Sequence, residues 1–212
     1  MFHVKHSTLP PVNVSRETEA KLRDFAALVQ KWNPTINLVS RSDLDQLWQR
    51  HILDSLQLAP LIPNTASHLT DIGSGGGFPA IVLAIATQRS FHLVESDARK
   101  CAFLREAART LGLSATIHCA RIEQIILPPA PVVTARALAP LSRLIPQAAH
   151  LLAPDGYFLF PKGRNAESEL TEASREWQMK IERFASNTDQ AATILKLSEV
   201  RPAGKGRDFQ ED

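Results

Sequence analysis

Residues 69–79 read Leu-Thr-Asp-Ile-Gly-Ser-Gly-Gly-Gly-Phe-Pro, and no other stretch of the 212-residue chain constrains the fold as much. A short apolar segment ends on Asp71 and Ile72, glycines follow at 73, 75, 76 and 77, and the apolar run 80–86 comes after Pro79. The pattern is strand, tight turn, helix. Glycine lets the backbone enter positive φ and lets a ligand approach the main chain closely. Pro79 suits the first helical position, where a missing N–H costs nothing. The unpaired N–H groups of that helix start are the expected site for a polar ligand.

The spacing narrows the ligand. A dinucleotide-binding turn needs G-x-G-x-x-G, with its third glycine where strand and helix pack closely. Here that position is Phe78, and the observed pattern is D-x-G-x-G-x-G. A bulky aromatic there argues against a bound pyrophosphate. It suits a ligand with a small charged tail, such as the methionine part of S-adenosylmethionine.

Composition sets the class. The apolar fraction is ordinary for a globular protein with a sizeable core, and a net charge of +2 gives no strong global attraction to nucleic acid. Basic residues outnumber acidic ones between Ser96 and Ile145, a modest local bias. Cys101 and Cys119 have neither CxxC spacing nor a histidine cluster, so no metal is expected, and both read as reduced, buried small residues. The start lacks a signal-peptide core, and no apolar run approaches the roughly 20 residues of a membrane span. The expectation is a cytoplasmic protein.

Along the chain, residues 1–14 read as a loose arm. Ser15 caps a helix with Glu17 and Glu19 in its first turn and Leu22, Phe25, Ala26, Val29 and Trp32 on one face, broken at Asn33-Pro34. A second helix is predicted from Ser42, with Asp45 completing a capping box, and an apolar stripe through Leu44, Leu47, Trp48, Ile52, Leu56 and Ala59. From residue 69 strands and helices alternate: strands at 91–95, 115–119, 132–135 and 157–160, and helices at 98–111, 141–152 and 166–177. Such alternation gives a mostly parallel sheet with helices on both faces. Residues 181–185 and 193–197 read as a closing antiparallel pair, and 204–208 as a mobile end.

In an open parallel sheet, ligands bind at the carboxyl ends of the strands. Glu95 ends the second strand and is placed to accept from both ribose hydroxyls, Asp97 being the better helix cap. Ile122 follows the third strand, either against an adenine ring or as ordinary core. Arg136 ends the fourth strand inside an apolar run and requires a carboxylate or phosphate partner. His51 interrupts the apolar stripe of the second helix. Alone it fits a satisfied core histidine, but Asp54 and Ser55 lie beside it, with Arg50 placed to pair with Asp54 at i, i+4. Lys162, after the fifth strand, shares the same rim; alone it fits an exposed lysine.

Together these segments resemble a family. His51-Ile-Leu-Asp-Ser55, the 71–79 turn, Arg121-Ile-Glu123, Ala135-Arg-Ala137 and Pro161-Lys-Gly163, preceded by Trp32-Asn-Pro-Thr-Ile-Asn-Leu, look like the small-subunit ribosomal RNA guanine-N7 methyltransferases, also called glucose-inhibited division protein B. The match runs in order from about Trp32 to Gly163; beyond Asn165 nothing is carried over, and Gly76 replaces a common alanine or proline. The resemblance implies an α/β fold, a Rossmann-like class I S-adenosylmethionine-dependent methyltransferase sheet with a helical N-terminal extension. The expected division is an arm at 1–14, the extension at 15–63 and the methyltransferase domain at 64–212. Cofactor contacts are implied at Gly73, Phe78, Ile122, Glu123 and Arg136, beside Gly75, Gly77 and Glu95 from the pattern itself. The implied substrate is 16S rRNA in the small ribosomal subunit or its precursor, and the implied enzyme is a monomer.

Guanine N7 carries an in-plane lone pair, so its methylation needs alignment rather than a general base. The expected site therefore has no catalytic triad and no metal. Arg136 and Lys162 would hold phosphate or the O6 edge, and His51 and Asp54 would line the pocket. The competing readings are a methyltransferase for a small molecule or a protein, a dinucleotide-dependent oxidoreductase, and a silent RNA-binding module.

Overall fold

The computed structural model describes residues 7–204. Ser15 accepts from the Thr18 N–H and opens α1 (Arg16–Ile36), which buries Leu22, Phe25 and Val29. The helix does not break at Asn33-Pro34. Proline removes only its own N–H bond, and the chain leaves the helix one turn later at Asn37, in the left-handed region at φ 47°. Asn33 organises that exit: buried, its Oδ1 accepts from the Leu38 and Val39 N–H groups at 2.7 and 2.8 Å.

The predicted second helix is three pieces. Ser40, not Ser42, caps α2 (Arg41–Leu44), with Asp43 rather than Asp45 three places on. A π-helical segment, Trp48–Leu53, follows and leads into α3 (Asp54–Leu56). The apolar stripe still packs, with Leu47, Ile52 and Leu56 buried.

The remaining elements alternate as expected: β2 (His68–Ile72), α4 (Ala80–Thr87), β3 (Ser90–Glu95), α5 (Ala98–Thr110), β4 (Ala115–Cys119), β5 (Ala130–Thr134), α6 (Leu141–Ala148), β6 (Leu152–Lys162) and α7 (Ala166–Ala173). Two helices are shorter than their patterns suggested. Residues 149–151 form a 3-10 turn, and Trp177 begins a strand instead of ending a helix. The closing pair, β7 (Trp177–Ala185) and β8 (Thr193–Pro202), is antiparallel. The arm is not loose where it is described. Ser7–Thr8 forms β1, parallel to β7, and Leu9 is buried. Residues 1–6, and the expected mobile end beyond Gly204, lie outside the described residues.

The sheet order is β1-β7-β8-β6-β5-β2-β3-β4. From β2 the chain steps outward to β3 and β4, then returns to β5 on the other side of β2. The carboxyl ends of β2 and β5 therefore flank the reversal where open α/β sheets bind ligands. One core lies on the α1–α4–α5 side and a second under α6 and α7, fed by alternate residues of the same strands (Leu93 and Val94, Val132 and Val133). Phe25 ties the N-terminal helix to this frame, its ring 5.2 Å from Phe78 and 6.4 Å from Phe103.

Candidate functional site

The turn after β2 holds Gly73, Gly75 and Gly77 at φ 65°, 53° and 85°, a region costly to residues with a Cβ. Four of its N–H groups are spent inside the protein. Gly73 and Ser74 donate to the Val94 carbonyl, Gly77 donates to Ser74, and Gly75 donates to Glu95 Oε2 at 2.8 Å. The start of α4 is fully buried, and Pro79 precedes the helix as its cap instead of opening it. The helix N-terminus expected to receive a ligand is thus packed in the core, and the ligand-facing surface is the turn. A turn with most of its donors already used is a poor host for a pyrophosphate.

A cleft of about 440 Å³ opens over this turn, lined by Gly73, Gly75, Phe78, Glu95, Ile122 and Glu123. Gly77 belongs elsewhere. A Cβ there would lie 2.7 Å from Ile81 and 3.1 Å from Phe25, so this glycine serves the packing of α1 and α4. Leu38 and Val39, delivered by the Asn33 exit, close one wall, and two basic groups join them, Arg121 of the quoted motif and Lys100, which the sequence did not single out. Glu95 accepts from Gly75 through one oxygen and from the Asp97 N–H through the other, at 2.8 Å each, while Asp97 caps α5. Each carboxylate oxygen retains lone-pair capacity for a ligand hydroxyl.

Beneath the turn, Asp71 is fully buried; its Oδ1 accepts from Thr134 Oγ1 at 2.5 Å, and Oδ2 has no hydrogen-bond partner among the described residues. Burial pushes its pKa up to about 7. The cysteines divide: Cys101 is buried and donates to the Glu95 carbonyl, whereas Cys119 is exposed at the end of an edge strand.

A larger cleft, about 1000 Å³, adjoins the first and is lined by Asp43, Arg50, Asp54, Lys162, Glu169 and the β7–β8 turn. His51, Arg136, Ala137 and Leu138 line both. Arg136 is the centre of this shared wall. It donates to His51 Nδ1, reaches Asp54 Oδ2 at 3.3 Å and the Arg50 carbonyl at 3.0 Å, and lies 5.2 Å above the Phe78 ring. The wider π-turn leaves that carbonyl open to a side chain; such turns concentrate at functional sites. The carboxylate partner required for Arg136 is therefore Asp54, and Arg50 pairs instead with Asp43 at 3.1 Å.

Burial, reinforced by the Arg136 charge, lowers the His51 pKa to about 4, so the ring is neutral at pH 7. Accepting from Arg136 at Nδ1 places its proton on Nε2, facing Asp43 at 3.7 Å. Lys162, expected to hold phosphate or the O6 edge, is engaged within the protein. Its Nζ pairs with Glu169 at 2.8 Å and donates to the Ala139 carbonyl at 2.8 Å, tying the loop after β5 to the end of β6. Gln57, Glu169 and Thr188 went unnoticed in the sequence because their contacts join distant segments. Among the described residues no cluster of histidine, cysteine, aspartate or glutamate could hold a metal, and no helix is long and apolar enough to cross a membrane.

Solved structures share the fold. A SAM-dependent methyltransferase from Aquifex aeolicus superposes with TM-score 0.58 at 11% identity, covering 81% of this chain and 97% of that one. A ribosomal protein L11 methylase from Lactobacillus delbrueckii gives TM-score 0.55 at 19% identity, covering 68% and 77%. Sequence relatives are far closer. Proteins named ribosomal RNA small subunit methyltransferase G are 54% identical over 191 residues in Rhodospirillum centenum (90% of this chain, 88% of the relative) and 52% identical over 210 residues in Granulibacter bethesdensis (94% and 99%). The profile of the GidB family, described as rRNA small subunit methyltransferase G, matches residues 18–194, so the chain with the shared Arg136–His51 wall is a member of that family.

Proposed function

We propose that the protein transfers a methyl group from S-adenosylmethionine to N7 of a guanine in 16S rRNA, within the small ribosomal subunit or its precursor. The observation that carries this reading is the pair of clefts meeting at one wall, His51 and Arg136. The smaller has the shape and chemistry for the donor. Glu95 would accept from ribose hydroxyls, Ile122 would lie against the adenine and Glu123 at its polar edge, while the glycine turn would let a chain with an ammonium and a sulfonium lie against backbone. When bound, S-adenosylmethionine supplies a methyl on a positive sulfur that departs as a neutral thioether.

The larger cleft takes the base. N7 needs no proton removed, so the work of the protein is alignment and charge balance. Arg136 is suited to the O6 and phosphate side of the nucleotide, and its ties to Asp54 and His51 hold it in one orientation. Methylation leaves a positive guanine. The cleft suits that product: Asp43, Asp54, Glu169 and Asp189 more than balance Arg50, Arg136 and Lys162. Neutral His51 adds no opposing charge. In this reading the segment 15–63 is an extension that supplies His51 and Asp54, the domain 64–212 supplies the turn and Arg136, and the enzyme acts as a cytoplasmic monomer.

The test is transfer of labelled methyl to small subunits and to naked 16S RNA, with nucleoside analysis of the product. A single 7-methylguanosine supports the reading. Label in protein or a small molecule, or titration showing NAD bound in place of the donor, contradicts it.

A further inference from the structure

Asp54 is gripped from behind by a segment outside the motifs quoted from the sequence. Its Oδ2 faces Arg136, while Oδ1 accepts from Thr188 Oγ1 at 2.7 Å and from Gln57 Nε2 at 2.9 Å. Gln57 is buried, and its other contacts run to the same turn between β7 and β8. Its Oε1 accepts from the Asn187 N–H at 2.8 Å, and its Nε2 reaches Ser186 Oγ at 3.1 Å and Thr188 Oγ1 at 3.3 Å. Within the turn, Ser186 Oγ accepts from the Thr188 N–H at 3.2 Å. The turn also lines the larger cleft through Thr188, Asp189 and Gln190, and touches none of the smaller one.

We propose that Thr188 is a positioning residue for methyl transfer: its hydroxyl, braced by Gln57, sets the Asp54 carboxylate that aims Arg136 at the wall between the clefts. A carboxylate turns about its last side-chain bond unless both oxygens are engaged. With Oδ1 held by two donors, Oδ2 stays where the guanidinium needs it. Remove one donor and the carboxylate gains freedom, and Arg136 with it. Small misplacements of an aligning group cost rate steeply, about a hundredfold for 1 Å. Thr188, Gln57 and Asp54 do not line the donor cleft, which of this set only Arg136 shares, so donor affinity should change far less than the rate.

The inference rests on the methyl-transfer reading above, and its test separates the two. Thr188→Val keeps the shape and deletes the hydroxyl, and Thr188→Ser restores it. In transfer to small subunits, Thr188→Val should lower kcat by about 10- to 100-fold, between loss of one charged hydrogen bond and full misalignment. Its Kd for S-adenosylmethionine, read by calorimetry, should stay within about twofold of the unsubstituted protein, and Thr188→Ser should recover most of the rate. Placed on Asp54→Asn, Thr188→Val should add little further loss, because the two act through one contact. Unchanged kcat in Thr188→Val overturns the proposal, as does a serine variant as slow as the valine one. Equal loss of donor affinity and rate, or additive losses with Asp54→Asn, also overturns it by marking a merely structural role. No transfer by the unsubstituted protein overturns the function reading, and this proposal falls with it.

Discussion

The glycine turn and the Arg136 wall are adjacent, yet they are built on opposite plans. The turn is local: its conformation follows from glycines at positive φ, and its fastening to Val94 and Glu95 joins neighbouring strands. The wall is assembled from afar, with Arg136 bound to His51 and Asp54 more than eighty residues earlier, and Asp54 bound to Thr188 another 134 residues on. Local geometry makes a binding surface that few substitutions can reshape. Distant assembly makes a junction whose aim depends on the whole fold being in place.

The comparison breaks most visibly at its centre. Arg136→Ala should cut methyl transfer by about 10³-fold, beyond the roughly hundredfold cost of a 1 Å misplacement because the aligning group is gone entirely. Arg136→Lys should recover little, since it keeps the charge and loses the fork that spans His51 and Asp54. Thermal unfolding of both variants separates lost chemistry from lost fold, and a folded alanine variant with near-normal turnover would remove the wall from the mechanism.

Next in size is the link between the two regions. Phe25 packs on Phe78, which lies under both the turn and Arg136. Phe25→Ala should cost about 3–5 kcal/mol of stability in denaturant unfolding. If the N-terminal helix were a dispensable attachment, the loss would be far smaller and the donor would bind as before.

The buried titratable groups pull in opposite directions. His51 has its folded pKa lowered from 6.5 to about 4, so the unfolded chain binds more protons between those values. Stability from His51 is full above pH 6.5 and drains as pH falls toward 4, on the order of 3 kcal/mol in all. Asp71 is raised from 3.8 to about 7, so its contribution is full below pH 3.8 and is lost as pH rises through 7. Denaturation between pH 4 and 7 should show stability falling more steeply with rising pH in His51→Gln and rising more steeply in Asp71→Asn. Effects of the same sign would contradict the burial assigned to one of them.

The smallest of these effects belongs to the turn itself. A Cβ on Gly73 would lie 2.6 Å from Leu138 and force a left-handed conformation, so Gly73→Ala should weaken donor binding by about tenfold through strain of about 1–2 kcal/mol. Titration showing unaltered affinity would place the donor away from the turn.

What could be read in the sequence follows the same division. The Asp97 cap rests on contacts within a few residues, and it stands where its pattern put it. The need of Arg136 for a carboxylate followed from burial alone, but its identity did not, because i, i+4 spacing favoured Arg50 for Asp54. The second helix failed because its apolar stripe is compatible with an α-helix and with the π-turn that replaces its middle. Lys162 read as a group for phosphate or the O6 edge, and nothing in the sequence shows Glu169 folding back onto it. Gly77 read as ligand-facing, because a glycine that clears space for Phe25 carries the same letter as one that clears space for a ligand.

The most direct test of the account is a crystal structure with S-adenosylhomocysteine, the demethylated product. The expected density fills the smaller cleft, with the adenine at Ile122, the ribose at Glu95 and the sulfur turned toward Arg136 and His51. Density confined to the larger cleft, or a sulfur turned away from that wall, would contradict it.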